Sequence, residues 1–400
     1  MYDIMPLIGF ILAFLVLIAL LIAKVELGLT LFICSLVVGL FSLGIGEYLT
    51  IMLNTLSDYY TLNLMAIAFA IMVLATLYEV TGYIKVLGSA LLSMFRNKKL
   101  LLMTVPAIIG LLPVAGGALM SAPLIEQPGK SLGLSQDKLT FVNVWFRHLI
   151  FMVYPLSQFL ILTSALSHIP ITTLILNQLP ILLFMFLIGY LISLRGLRDK
   201  SEHLGQGTSF SLSMMKPLLP IIIPIVLAIG LRLNIALSVA IGILILAYLA
   251  KADGESITRV FKSKRIYTIL LVVFSAMLLK NVIKDSGLSA IISGILSSMN
   301  VPVILSLIGI VVPIGFLMGT PSGTVAVTIS ILSDVIVGNP KVTSLVYVVT
   351  YLSYLGSPAH LCLILSVKYY KAQLTRVYKY LLPAIIATLI FTIMMYMLVW

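Results

Sequence analysis

The sequence predicts an all-α polytopic membrane protein made of two inverted repeats. Each repeat has five transmembrane helices, one of them broken at proline, and one re-entrant hairpin. Three observations carry this prediction. Only 10% of the 400 residues are charged and 61% are hydrophobic, against about 25% charged in soluble domains. Apolar runs of the length that crosses a hydrocarbon core, roughly 20 residues, recur from end to end. Two Pro/Gly-rich interruptions, LLPVAGGALMSAPLIE (111–126) and VVPIGFLMGTPSGT (311–324), fall at matching places in the two halves.

In chain order, spans are expected at 5–23, 27–45, 62–79, 138–166, 171–194, 214–231, 235–250, 266–284, 342–366 and 378–399. The first has no basic leader and no small-residue cleavage site, so it reads as a retained span rather than a signal peptide. Two further apolar pieces, about 99–126 and 302–333, contain the interruptions. Cys34 and Cys362 both sit in apolar runs, which supports neither a disulfide framework nor a zinc site. The net charge of +12 raises the question of nucleic acid, but its distribution fits topology better. The basic clusters RNKK (96–99), RGLRDK (195–200), KADGESITRVFKSKR (251–265) and KYYKAQLTRVYK (368–379) all reach the cytoplasm only if neither interrupted piece crosses. The piece 99–126 then enters and leaves from the cytoplasm, 302–333 enters and leaves from outside, and both termini lie outside. On that arrangement Arg147 alone among the basic residues stays within a span.

The halves also match in order. VTGYIKVLGSALLSM (80–94) aligns with DSGLSAIISGILSSM (285–299), Pro113 with Pro313, and Pro155 with Pro358, at offsets of 205, 200 and 203. Each half reads as three spans, an amphipathic surface helix, a hairpin, a broken span and a last span. Five crossings per half invert the second relative to the first, the architecture of secondary transporters. The expected division is a first repeat at 1–194 (scaffold 1–95, transport part 96–194), a cytoplasmic linker at 195–213, and a second repeat at 214–400 (scaffold 214–300, transport part 301–400).

Unpaired backbone is costly in lipid and is tolerated where protein or a water-filled cavity surrounds it. Both tips therefore read as polar sites, and GTPSGT (319–324) is the stronger, with N–H groups beside three hydroxyls. Helix limbs restarting there turn positive dipole ends toward the gap, which suits an anion, while the opposite ends offer carbonyls for Na⁺. At the breaks, Tyr154, Ser157 and Gln158 in one half, and Gly356, Ser357 and His360 in the other, reach the same cavity. Arg147 either neutralises an anionic solute or snorkels to the interface; His148 and His360 either carry protons or are satisfied buried histidines. No span carries Asp or Glu near its centre, which leaves Na⁺ or a histidine-borne proton as coupling ion. No HExxH motif occurs, and His148, His168, His203 and His360 are not at ligand spacing. Ser357 and His360, three apart, are the one enzyme-like pair. A channel is the nearer rival to a carrier, since pores also use hairpins.

The combination of LLPVAGGALMSAPLIE, VNVWFRH and GTPSGT with the repeated order of elements resembles the ion transporter superfamily. That group includes divalent-anion/sodium symporters and gluconate, citrate and arsenite permeases. The chain is most similar to a prokaryotic branch of unassigned function. The resemblance implies an elevator-type secondary carrier in the plasma membrane, often a homodimer, without nucleic-acid partners or an organic cofactor. By position, it puts the site on Gly116, Gly117 and Ser121 of the first tip and on Thr320, Ser322, Gly323 and Thr324 of the second, with Tyr154, Ser157, Ser357 and His360 from the breaks. GGALMS and GTPSGT stand where the dicarboxylate symporters carry Ser-Asn-Thr.

Overall fold

In the computed structural model, residues 5–95, 97–112, 117–197, 212–298 and 302–399 are described. The described residues form helices and loops, with no strand among them. Pro113, Gly116 and most of the 195–213 linker lie outside them.

The first half opens with α1 (Met5–Ile22), apolar throughout, and α2 (Leu27–Ser42), apolar but for Thr30, Ser35 and Ser42. A short helix α3 (Ile45–Ser57) follows, and then the long α4 (Tyr59–Val80), whose start is capped by the Asp58 carboxylate on Thr61 N–H. Next come α5 (Tyr83–Met94), the hairpin limbs α6 (Lys98–Gly110) and α7 (Ala118–Ser131), and α8 (Gln136–Leu149). The expected span 138–166 is two helices. After α8 the chain passes through one 3₁₀ turn, Ile150–Met152, and an irregular stretch containing Pro155, and restarts as α9 (Gln158–Ser167). The half ends with α10 (Ile171–Ser193).

The second half repeats this order. Its first span is a 3₁₀ turn, α11 (Leu219–Ile225) and a π turn at Val226–Gly230, because Pro217, Pro220 and Pro224 withhold N–H groups from the ladder. It continues with α12 (Ile235–Leu249), α13 (Gly254–Lys262), α14 (Lys264–Asp285) and α15 (Leu288–Ser298). The second hairpin is α16 (Val303–Met318) and α17 (Pro321–Ile331), followed by the one-turn α18 (Ser333–Ile336). The second broken span is α19 (Pro340–Gly356) and α20 (Leu361–Tyr370), interrupted at Ser357–His360, and α21 (Leu374–Leu398) closes the chain. The short helices α3 and α13 were not expected from the sequence. Helices α5 and α15, expected as surface helices, both start just after a left-handed glycine, Gly82 (φ 66°) and Gly287 (φ 69°), a turn that side chains with Cβ resist.

Packing recurs between the halves with partners exchanged. α1 packs on α2 as α11 packs on α12; α2 lies on α14 as α12 lies on α4; α6 packs on α8 as α16 packs on α19; α7 meets α20 as α17 meets α9. Helices α4 and α14 touch each other, as do α10 and α21. Helices α1–α4 and α11–α14 thus form one bundle, and α6–α10 with α16–α21 another. Their seam runs where α17 and α9 lean on α14 and α4. Outward faces are apolar: Leu176, Leu179, Leu183 and Leu187 on α10, and Leu382, Ile386, Ile390 and Met394 on α21, are all exposed. In water such rows would be a liability; against lipid tails they are ordinary. Among the described residues, six helical stretches are long and apolar enough to cross a membrane. The charged contacts Glu79–Arg265 and Asp137–Gln373 lie at one end of the molecule, and His168–Lys280 at the other.

Candidate functional site

The two breaks meet side by side. A helix that stops mid-membrane leaves carbonyls without partners, and here hydroxyls supply them. Tyr351 and Tyr347 of α19 donate to the His148 and Phe151 carbonyls, each across 2.5 Å. Tyr378 donates to the Gly356 carbonyl at 2.9 Å, and Ser357 to the Phe316 carbonyl at 2.6 Å. The carbonyls of His148, Phe151, Phe316 and Gly356 are therefore engaged. The Ser357 hydroxyl also accepts from Ala359 N–H and makes no bond to His360, so the one enzyme-like pair is not assembled.

Between the breaks and the second hairpin lies a cavity of about 160 Å³. Its polar lining comes from Arg147 and His148 at the end of α8, Tyr154, Ser157 and Gln158 around the first break, Ser322 at the start of α17, and Tyr351, Tyr354 and Cys362 opposite. Arg147 is the twelfth residue of α8, so it stands about 17 Å from the helix start. It is 3% exposed, and its Nη1 is buried with no hydrogen-bond partner. No carboxylate pairs with it among the described residues. The guanidinium is thus held inside the protein, beside the cavity. Helices α9 and α17 both begin at this cavity, and neither N-cap residue, Ser157 or Thr320, makes a side-chain cap bond. Two uncapped positive helix ends and an unpaired guanidinium give the cavity a positive potential. Gln158 Nε2 is likewise buried without a partner.

Of the residues expected at the site, Arg147, Tyr154, Ser157, Gln158 and Ser322 line the cavity. His360 stands behind it, its Nε2 3.1 Å from that of His148. Gly117, Ser121, Thr320, Gly323, Thr324 and Ser357 do not line it. The Ser121 hydroxyl is committed to Asn143 Oδ1 at 2.7 Å, while Asn143 Nδ2 holds the Ala118 carbonyl and the Ser366 hydroxyl, each at 2.9 Å, pinning the first hairpin to α8 and α20. Thr324 donates to the Thr320 carbonyl at 2.6 Å, and Gly323 packs against Met318 and Leu27. Gly116 lies outside the described residues. The sequence did not point to Tyr351, Tyr354 or Cys362. Tyr347, Tyr351 and Tyr354 fall three and four apart, one helix face of polar aromatics in an apolar span, and that spacing was the available signal.

The histidines also need correction. His148 and His360, not at ligand spacing in sequence, pair in space, and Cys362 brings its sulfur within 4.8 Å of both. The group contains no carboxylate and shares its cavity with the guanidinium of Arg147, an environment unfavourable to a further cation.

A second cavity, about 570 Å³, opens at the far end of the seam. It is lined by Asp58, His168, Lys280, Lys284, Asp285 and Asp334 among others.

This is the fold of polytopic membrane transporters. Over 89% of both chains it superposes on the YdaH transporter of Alcanivorax borkumensis, with a TM-score of 0.63 at 13% identity. It also matches MtrF of Neisseria gonorrhoeae, described as one of a class of antimetabolite efflux pumps, over 88% of this chain and 84% of that one, with a TM-score of 0.51 at 11% identity. The chain belongs to the family described as a protein of unknown function, DUF401, whose model matches residues 8–399. No curated protein matches the sequence.

Proposed function

We propose that the protein is a secondary active transporter of a small anionic solute, working by elevator-type alternating access and coupled to Na⁺ or H⁺. The carrying observation is the Arg147 guanidinium, buried in the last turn of α8 with an unpartnered Nη1, beside an aromatic cavity. A buried charge without a partner is strongly unfavourable, so an anion is the natural occupant. The cavity's volume suits a small carboxylate or oxyanion.

Further features support the transport mechanism. Limbs α6, α7 and α17 have 13, 14 and 11 residues, about 17–21 Å of helix, too short to cross a core of about 30 Å. This favours re-entrant hairpins. The exchange of packing partners between halves favours an inverted repeat, with α1–α5 and α11–α15 as scaffold and α6–α10 and α16–α21 as the moving part. The plasma membrane, termini outside and a homodimer complete the reading. The positive-inside distribution supports that orientation, and the superfamily resemblance supports the dimer.

The test is a thermal-shift screen of the purified protein with acetate, succinate, benzoate, inorganic phosphate and sulfate at matched ionic strength. At least one anion is expected to stabilise the wild type and not Arg147→Gln. Failure of every anion, with wild type and variant alike, contradicts the anion reading.

A further inference from the structure

A single positive charge lines the main cavity. Arg147 is the only charged residue among the described residues around it, and the adjoining tip segment PVAG (113–116) carries no charge in its sequence. His148 adds no free donor: its Nδ1 lies 2.6 Å from the Val144 carbonyl oxygen, and its Nε2 faces that of His360 at 3.1 Å. The groups left to meet a ligand are Arg147 Nη1 and Gln158 Nε2, both buried without a partner, and the hydroxyls of Ser157 and Ser322. A carboxylate offers two oxygens and about four lone-pair sites, matched in number by these groups. Its one charge is matched by Arg147. A dianion in the same place would keep one charge buried without a counter-ion, which is strongly unfavourable.

The rest of the lining is apolar and largely aromatic. Tyr351 lies among three other rings, with the centroids of Phe159, Tyr354 and Phe151 at 5.4, 6.0 and 6.5 Å, the range in which aromatic rings pack favourably. Phe151 and Phe159 flank the first break, Tyr351 and Tyr354 belong to α19, and all four line the cavity. The Tyr351 hydroxyl is committed to the His148 carbonyl, so its ring is what it offers a ligand. Leu112 and Leu156 add aliphatic surface. The volume, about 160 Å³, is close to the roughly 150 Å³ of an apolar cavity that takes up benzene. We propose, on the anion reading of the cavity, that the solute is an aromatic monocarboxylate, with one ring packed among Tyr351, Tyr354, Phe151 and Phe159 and one carboxylate on Arg147. Dicarboxylates, sulfate and divalent phosphate then bind weakly, each for its second charge.

The test is isothermal titration calorimetry of the purified full chain, at a pH of about 8.5 where phenylphosphonate is a dianion, with benzoate, acetate, cyclohexanecarboxylate, phenylphosphonate and benzenesulfonate. Benzoate is expected to bind at least about tenfold more tightly than acetate, for the buried ring, and about twofold to tenfold more tightly than cyclohexanecarboxylate, for the aromatic packing. Phenylphosphonate is expected to bind at least about tenfold more weakly than benzoate. Benzenesulfonate, with the same tetrahedral head but one charge, is expected between them. Acetate as tight as benzoate overturns the ring, and cyclohexanecarboxylate as tight overturns its aromatic character. Phenylphosphonate as tight as benzoate, or benzenesulfonate as weak as phenylphosphonate, overturns the selection of a single charge. Each of these results spares the anion reading if Arg147→Gln loses the binding. If no anion binds, or if Arg147→Gln binds benzoate undiminished, the anion reading fails and the aromatic monocarboxylate with it.

Discussion

Replacing Gly110 by alanine tests the contact that holds the first hairpin against Arg147. A Cβ at Gly110 would lie 2.3 Å from the Arg147 carbonyl oxygen and 3.4 Å from its Cγ. The oxygen is backbone and cannot swing away. Helix α6 must retreat from α8 by about 1 Å, and interiors packed like crystals transmit such a shift. Overpacking of this kind costs about 1–3 kcal/mol. Gly309 supplies the control. It occupies the corresponding limb, α16, and a Cβ there meets nothing within 4 Å, so Gly309→Ala should gain the helix preference of alanine, about 0.5–1 kcal/mol. The two substitutions are chemically identical and should differ by about 1.5–4 kcal/mol with opposite signs. Equilibrium unfolding in mixed dodecyl sulfate and maltoside micelles, followed by far-UV circular dichroism, reads that difference. Equal midpoints, or a stabilised Gly110→Ala, would refute the packing of α6 on α8 as described.

Tyr351→Phe keeps the ring and removes the donor to the His148 carbonyl; a buried carbonyl left alone costs about 1–3 kcal/mol, read in the same unfolding assay, and a neutral result would mean that the break is hydrated. Asn143→Ala frees Ser121, the Ala118 carbonyl and Ser366 together, so a loss of at least about 2 kcal/mol is expected, with faster proteolysis of the first hairpin. At the seam, His168 Nε2 faces Lys280 Nζ at 3.0 Å, and burial, followed by the charges of Lys280 and Lys284, holds His168 below the ordinary value of 6.5. The folded chain binds this proton less tightly than the unfolded one, so stability from the contact is full above the ordinary value and declines as pH falls below it; a His168→Gln variant should show a flatter pH–stability curve, and an unchanged curve would remove His168 from the account. A cysteine at Ser322, at the seam cavity lined by Gln158 and Leu64 as well as at the main one, should change its labelling side with transport state under elevator motion; labelling from one side throughout would contradict that motion.

Hydropathy and proline made most of the architecture legible. A span must be apolar over its full length, and Pro155 and Pro358 fall inside the two breaks because neither can donate to a helix ladder. The short helices α3 and α13 escaped because 13 and 9 residues between spans are indistinguishable from loop by length and composition. Half of the cavity was legible for a local reason: Tyr154, Ser157, Gln158 and Ser322 flank helix breaks visible in the sequence. The other half depends on contacts across the chain. Nothing near His148 announces His360, and Ser121 looked free because its partner, Asn143, lies 22 residues on, one turn before Arg147 on α8. The polar side chain of Asn143 in an apolar helix was the clue to a hairpin anchor, as the tyrosine face of α19 was to capped carbonyls.

The central claim is that Arg147 holds the transported anion. Counterflow into proteoliposomes measures it most directly, using a radiolabelled form of whichever screened anion stabilises the protein, with wild type, Arg147→Gln and Gly309→Ala reconstituted side by side. The account predicts saturable counterflow by wild type and Gly309→Ala, abolished by Arg147→Gln with the fold retained. Undiminished counterflow by Arg147→Gln, or unitary current without counterflow, would contradict it.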